Sequence, residues 1–313
     1  MTLKEKLNFY GSLKEPFLFV IDFDMSNYDI VLLKDKKDDI LYDIDNQNKV
    51  DKKLDIKFEK YPIDKNIYNQ KFIKVQEHIK NGNSYLLNLT TKTNIKCNSS
   101  LKDIYQNSGA KFKLFYKDKF VCFSPERFCK IEKNKIYTYP MKGTIDANIK
   151  DAKDIILEDK KELAEHTMVV DLLRNDLSMV SKKVRVEKFR YIDKIKAGNK
   201  ELLQVSSKIS GELEENWQNK LGDIITTLLP AGSITGTPKR KTVEIIKNIE
   251  DDNREYFTGV FGVFDGENLD SSVMIRFIQK DNDGNLFYRS GGGITCDSDM
   301  TKEYNEMIDK VYI

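Results

Sequence analysis

Three short hydrophobic runs near the end of the chain decide the fold class: residues 257–265 (FTGVFGVFD), 271–279 (SSVMIRFIQ) and 285–291 (NLFYRSG). Each run is rich in β-branched and aromatic residues and lies beside Gly, Asp or Asn, which is typical of strands joined in hairpins. Successive strands joined by short turns pair antiparallel. The pattern therefore predicts a β-meander, and a helix over residues 301–312 is predicted to close it.

Similar runs recur upstream, and helices separate only some of them. Strands are predicted in residues 16–24, 27–35, 84–95, 111–117, 120–126, 127–133, 135–140, 183–192 and 202–213. Helices are predicted in residues 66–82, 152–177, 216–229 and 239–249, and a loop in the charged residues 43–66. Because few strands alternate strictly with helices, the pattern favours an α+β class with mixed or antiparallel sheets over a parallel, doubly wound fold.

The bulk composition excludes several classes of function. The 313 residues carry 52 basic and 50 acidic side chains, so the net charge of +2 creates no field that would attract nucleic acid or a membrane surface. No apolar run is long enough to span a bilayer, and the N-terminus has no apolar core of a signal peptide. The four cysteines lack C-x-x-C spacing, and only two histidines exist, which argues against zinc and disulfides. We expect a cytoplasmic protein with reduced thiols.

Two pairs of glutamates are candidates for a metal site. Glu162 and Glu165 are three residues apart in one predicted helix, and so are Glu303 and Glu306 in the last helix, so each pair shares a helix face. A cation between the helices would relieve the repulsion within each pair, and carboxylate oxygens without histidine or cysteine suit Mg²⁺. The alternative is two solvated helix faces, and spacing alone does not exclude it.

Lys142 and Glu126 each lie where a predicted strand ends. Lys142 belongs to PMKGT (140–144), after a strand and before a turn predicted at Gly143 and Thr144. A neutral lysine amine in a partly apolar pocket is a good nucleophile, although a lysine at such a place is also common on a surface. Glu126 in SPERF (124–128) could serve as a general acid or base, or be an exposed strand-end residue.

The glycine run SGGGI (290–294) and Arg276 are candidates for binding a carboxylate. Consecutive glycines permit positive φ, so that successive N–H groups could form an anion-binding nest, but they are equally compatible with a flexible turn. Arg276 in the strand SSVMIRF could clamp a carboxylate through two N–H groups, or be an ordinary strand arginine.

Five stretches together resemble the chorismate-utilising enzymes: SPERF, PMKGT, AEHTMVVDLLRND (164–176), PAGSITGTPK (230–239) and SGGGI. The resemblance is strongest from Asn83 onward. A lysine in PMKGT marks the aminodeoxychorismate synthase branch, whereas the anthranilate branch usually has alanine there. The implied fold is a single domain layered α/β/β/α, with two large, mostly antiparallel sheets packed orthogonally. Residues 1–65 would be an abbreviated N-terminal segment packed on a catalytic domain of residues 66–313.

The resemblance also implies roles for particular residues. Glu165 and Glu306 would bind Mg²⁺, and Glu162 and Glu303 would hold its waters. The residues implied to contact chorismate are Thr144, Thr235, Arg276, Gly291, Gly293 and Lys310. Lys142 would attack C2 of the ring as the C4 hydroxyl leaves, and ammonia would then add at C4 and expel the lysine. Glu126 is the second catalytic candidate. The product, 4-amino-4-deoxychorismate, is a precursor of 4-aminobenzoate and folate.

Two departures from the family pattern bear on the choice of reaction. Gln204 replaces a histidine found in relatives whose sites eliminate pyruvate, and Leu86 replaces the lysine that activates water in isochorismate-forming relatives. No stretch resembles a glutamine amidotransferase, so a separate amidotransferase subunit or free ammonia would supply nitrogen. The alternatives left open are anthranilate synthase component I and a non-catalytic binding protein that kept the fold.

Overall fold

The computed structural model describes residues 1–45, 54–197 and 200–312. In these residues the α-helices are α1 Leu3–Ser12, α2 Lys65–Lys80, α3 Leu101–Asn107, α4 Ala152–Glu158, α5 Lys160–Ser178, α6 Leu221–Leu228, α7 Lys239–Ile249 and α8 Met300–Asp309.

The strands form two antiparallel sheets, which confirms the predicted α+β class. In chain order they are β1 Phe17–Ile21, β2 Tyr28–Leu32, β3 Ile40–Ile44, β4 Phe58–Tyr61, β5 Leu86–Cys97, β6 Phe112–Tyr116, β7 Phe120–Ser124, β8 Arg127–Glu132, β9 Lys135–Thr138, β10 Met141–Asp146, β11 Lys182–Ala197, β12 Lys200–Glu212, β13 Gly236–Thr237, β14 Val260–Phe264, β15 Leu269–Val273, β16 Phe277–Lys280 and β17 Leu286–Ile294.

The chain divides into two compact units, each assembled from several segments. Unit 1 consists of the described residues of Met1–Phe17, Arg127–Ser233 and Phe264–Ser271. Unit 2 consists of the described residues of Leu18–Glu126, Ile234–Val263 and Ser272–Ile313. The predicted boundary between residues 65 and 66, the α/β/β/α layering and the orthogonal packing stay predictions.

Unit 1 is built on the strand order β10-β12-β9-β8, and β11 pairs with β12. Helices α4 and α5 cover β10 and β12. The prediction of a single helix over residues 152–177 is wrong in one respect, because the helix is interrupted at Asp159, between α4 and α5. That residue has extended backbone (φ −63°, ψ 115°), and its side chain accepts a hydrogen bond from the Glu162 N–H, so it caps the start of α5.

Unit 2 contains a sheet with the order β13-β5-β17-β16-β7-β6-β3, and β4 pairs with β5. Helices α2, α7 and α8 pack beside β5 and β17 around a core that includes Tyr68, Leu87, Ile246 and Met307. The loop predicted over residues 43–66 is wrong at β4, which adds a short edge strand opposite Asn94–Cys97; residues 46–53 of that prediction lie outside the described residues. The predicted closing helix is confirmed as α8. The predicted meander is wrong, because residues 271–279 divide into β15 and β16, and β14 and β15 lie in one sheet whereas β16 and β17 lie in the other. Arg276 was predicted within a strand, but it lies between β15 and β16 with a φ of +53°.

None of the helices in the described part of the chain is long and apolar enough to cross a membrane.

Candidate active site

Lys142 lies at a β-bulge in unit 1. In the β10–β12 ladder Met141 faces Ser206 and Thr144 faces Gln204, so one extra residue stands between the two pairs. Gly143 supplies the positive φ of +90° at this point. The predicted turn at Gly143 and Thr144 is therefore wrong: the strand continues through an irregularity that changes the direction of its side chains.

The Lys142 amine contacts the carboxylate of Glu165. Nζ and Oε2 are 2.6 Å apart, and the Glu165 side chain is only 7% exposed. Lys161, one turn earlier on α5, approaches the other oxygen at 3.7 Å but is half exposed. The bulge and α5 thus bring together the lysine and the acid that the sequence marked as candidates.

Glu162 lies on the same face of α5 and is held in an unfavourable environment. Its Oε2 is buried without a hydrogen-bond partner among the described residues, and a Cβ on Gly143 would come within 2.9 Å of that oxygen. Burial raises the pKa of Glu162, the nearby Lys142 lowers it, and Glu165 raises it further. Gly143 therefore leaves room for a carboxylate that lacks a partner.

His166 lies on α5, and its ring contacts Ser207 of β12, the strand that pairs with β10. Its position beside Lys142 was not predicted from the sequence. Its Nε2 is 2.7 Å from Ser207 Oγ, which also accepts the Arg190 N–H at 3.0 Å. The tautomer of His166 decides which of these two atoms donates the hydrogen bond. Burial lowers the pKa of His166 to about 4, while the neighbouring Lys142 backbone raises it. The imidazole is therefore neutral.

In unit 2, Glu303 and Glu306 lie on α8 beside the glycine strand β17, and Lys310 caps the C-terminal end of that helix. Glu303 is buried and accepts a 2.7 Å hydrogen bond from Ser298 Oγ. Lys310 Nζ contacts Glu306 Oε1 at 2.7 Å and donates to the Gly291 carbonyl at 2.9 Å. The predicted sharing of one helix face by the two acids and the lysine is thus confirmed.

The three glycines of SGGGI lie within β17 and have no positive φ, so the predicted anion nest is wrong. Their backbone is extended because Gly291 pairs with Thr90 and Gly293 with Asn88 of β5. Close approach does explain Gly291, where a Cβ would lie 2.3 Å from the Leu89 carbonyl oxygen.

Gly292, which the sequence analysis passed over, is the glycine that faces the acids. A Cβ there would lie 3.3 Å from Glu303 Oε2, 3.7 Å from Lys310 Nζ and 3.8 Å from Glu306 Oε1. Alternation along a strand could have identified it, because neighbours of Gly292 must point to the opposite face.

The remaining candidates have different environments. Thr235 is fully buried, and its carbonyl accepts the Asn88 N–H at 2.8 Å. Arg276 has a φ of +53°, and its Nε donates to the Tyr312 hydroxyl at 2.9 Å. Glu126 lies close enough to Arg276 to interact with it electrostatically. Thr144 is exposed on its strand. The roles of these residues in substrate binding stay predictions.

The four glutamates present only hard oxygen donors, and the orphaned Glu162 Oε2 is an acceptor that a cation would satisfy. This chemistry fits a hard divalent ion. Across residues 1–45, 54–197 and 200–312, however, no group of three or more His, Cys, Asp or Glu side chains is arranged so that it could hold a metal ion. The predicted Mg²⁺ set therefore stays a prediction.

Comparisons with known proteins identify the family of the chain. The chain is 48% identical over 99% of its length to an uncharacterized PabA-like protein of Haemophilus influenzae and covers 95% of it. It is 32% identical over 78% of its length to aminodeoxychorismate synthase component 1 of Escherichia coli, of which it spans 56%.

A solved structure from Bacillus anthracis, a putative 2,3-dihydroxybenzoate-specific isochorismate synthase, has the same fold. It superposes with a TM-score of 0.74 at 18% identity, over 99% of this chain and 87% of that one. Residues 25–313 match the family described as chorismate binding enzyme. The shared motifs, the fold and this match over nearly the whole chain show that the protein belongs to the chorismate binding enzyme family.

Proposed function

We propose that this protein is the synthase subunit of an aminodeoxychorismate synthase, which converts chorismate and ammonia to 4-amino-4-deoxychorismate. The observation that carries the proposal is the 2.6 Å contact between Lys142 Nζ and Glu165 Oε2 at the PMKGT bulge. The 32% identity to the Escherichia coli enzyme component of that name supports it. A Mg²⁺ ion and a separate glutamine amidotransferase subunit belong to the same proposal.

The reaction divides into two displacements at the ring. The Lys142 amine forms a bond to C2, the two ring double bonds shift, and the C4 hydroxyl leaves as water after Glu126 protonates it. Ammonia then attacks C4, the double bonds shift back, and the C2–N bond breaks to return the lysine. The proton that ammonia loses returns to Glu126, so the enzyme is regenerated.

The ion pair with Glu165 sets a condition on the first step. An ammonium that donates to a carboxylate has no lone pair for attack, so Lys142 must first lose its proton. A bound divalent ion would neutralise carboxylate charge and orient the ring carboxylate. Arg276, Lys310 and Thr235 would hold the acidic substituents of the substrate, and the amidotransferase partner would deliver ammonia.

The test is Lys142→Ala, assayed with chorismate, MgCl₂ and ammonium salt and followed by chromatography of the product. We expect turnover to fall by at least about 10²-fold, because the variant lacks the nucleophile. Chorismate should still bind, because the residues proposed to hold its acidic substituents are unchanged. Lys161→Ala is the matched control: it deletes the other lysine near Glu165, which is half exposed, and should keep nearly full turnover.

Three results would contradict the proposal. Full turnover in Lys142→Ala would exclude the lysine as nucleophile. Fluorescent anthranilate formed without an added lyase would point to anthranilate synthase. Calorimetry that shows no Mg²⁺-dependent binding of chorismate to the unmodified protein would favour a non-catalytic binding protein. Mass spectrometry of enzyme quenched during turnover would detect the Lys142 adduct directly.

A further inference from the structure

A buried ion pair joins the end of α7 to the segment that follows it in unit 2. Arg254 and Glu250 have side chains that are 1% and 6% exposed. Arg254 Nε donates to Glu250 Oε2 at 2.8 Å, and one terminal nitrogen donates to Oε1 at 2.7 Å. This two-point contact fixes the plane of the guanidinium group.

The remaining N–H groups of Arg254 reach two backbone carbonyls in other segments. One terminal nitrogen donates to the Ile234 carbonyl at 2.9 Å, and the other to the Asn88 carbonyl at 2.7 Å. Ile234 immediately precedes Thr235, and Asn88 lies opposite Gly293 in the β5–β17 ladder. A single guanidinium therefore spans the Thr235 segment and the strand that supports the glycines.

Glu250 strengthens the same junction from the other side. Its Oε1 accepts both the backbone N–H and the hydroxyl of Thr90, each at 2.9 Å. Thr90 pairs with Gly291. The junction is completed by the Asn88 N–H, which donates to the Thr235 carbonyl at 2.8 Å. A charged pair this deeply buried is costly unless such bonds satisfy it, and here they tie together three segments.

We infer that Arg254 and Glu250 are positioning residues of the substrate site, which hold the Thr235 segment in a fixed place against the glycine strand. The inference rests on the proposed function for its link to chorismate. The claim that Arg254 holds the two segments together does not depend on the proposed function, because the hydrogen bonds from Arg254 to Ile234 and Asn88 can be tested without chorismate. Neither side chain needs to touch the substrate to act in this way.

The decisive variant is Arg254→Lys. Lysine keeps the positive charge beside Glu250, but one ammonium cannot reproduce the planar fork that serves both carbonyls. Hydrogen exchange followed by mass spectrometry would report peptides that cover residues 86–92 and 232–237. We expect exchange there to be about tenfold faster, and the dissociation constant for chorismate with Mg²⁺ to rise about tenfold, because charge-assisted hydrogen bonds are lost.

Arg127→Lys is the matched control. Arg127 forms an equivalent two-point pair with Asp270, at 2.7 and 2.9 Å, but in unit 1. We expect a similar fall in melting temperature, no faster exchange in residues 86–92 and 232–237, and unchanged affinity for chorismate. Glu250→Gln is the harsher variant, because it leaves the buried Arg254 charge unpaired and endangers folding.

Each outcome is decisive. Unchanged exchange in Arg254→Lys would overturn the inference, as would faster exchange with unchanged affinity. An equal loss of affinity in Arg127→Lys would reduce the effect to general instability and would also overturn it. Should the unmodified protein bind no chorismate, the proposed function fails, and the exchange data alone decide whether the pair fixes the two segments.

Discussion

Burial shifts the pKa values of two side chains next to Lys142. Glu162 and His166 both lie on α5, and burial disfavours the charged form of each: it raises the pKa of the acid and lowers that of the imidazole. Lys142 acts against the first shift because its charge favours a nearby carboxylate. Burial thus favours the neutral form of both side chains, and Lys142 opposes this effect at Glu162.

Because His166 is buried, we predict that the protein is less stable in acid. Its pKa is about 4 in the fold and about 6.5 in the unfolded chain, so the unfolded state takes up the proton first. The free energy of unfolding should therefore fall as the pH drops from about 6.5 to about 4, and this contribution should be complete above that window. Urea unfolding of the metal-free protein at a series of pH values measures it.

The variant His166→Gln isolates this contribution, and it should flatten the pH dependence of the free energy of unfolding within the window. An identical slope in the variant and in the unmodified protein would show that His166 does not bind its proton differently in the two states.

At the scale of elements, side chains alternate between the two faces of β17, so substitutions at Gly291 and Gly292 should have different effects. We predict that Gly291→Ala lowers the free energy of unfolding by about 2 kcal/mol or more. The reason is that the added Cβ would lie 2.3 Å from the Leu89 carbonyl oxygen, which belongs to the backbone and cannot easily move away. Gly292→Ala should cost little stability because it meets only the ends of flexible side chains, at 3.3 Å or more. It should instead weaken chorismate binding.

Thermal unfolding and calorimetry test this pair of variants together. Gly109→Ala is the control, because its Cβ would enter open space, and its stability should change by no more than about 0.5 kcal/mol. A Gly292→Ala protein with unaltered affinity would show that this face of the strand lies outside the substrate site.

At the scale of the whole molecule, the fold buries the four cysteines to different degrees, so their thiols should react at different rates. All four are free thiols; Cys122 and Cys129 are buried and Cys296 is exposed. Burial raises the pKa of Cys129 to about 12 and raises that of Cys122 as well. We predict that iodoacetamide labels Cys296 in the native protein, Cys97 more slowly, and the two buried thiols only after unfolding.

Peptide mapping after timed labelling checks this prediction, and a sample unfolded in urea supplies the control in which all four thiols react. Rapid native labelling of Cys129, ahead of Cys296, would mean that the core around β8 opens more readily than its burial implies.

The sequence by itself determined the elements whose signals are local. Apolar runs beside short turns specify β14 and β17 as strands, and the spacing of Glu303, Glu306 and Lys310 places them on one helix face. A local signal was also overlooked: Thr2 and Glu5 form the capping box that begins α1. Residues close in sequence interact whatever the rest of the chain does, so their pattern can be interpreted directly.

Only the tertiary structure decided the features that depend on distant partners. The bulge at Lys142 exists because β10 pairs with β12, and the extended glycines exist because β17 pairs with β5. The Arg254 junction joins residues far apart in the chain. Sequence spacing carries no information about which strand lies opposite, because cross-strand pairing satisfies backbone groups from any part of the chain.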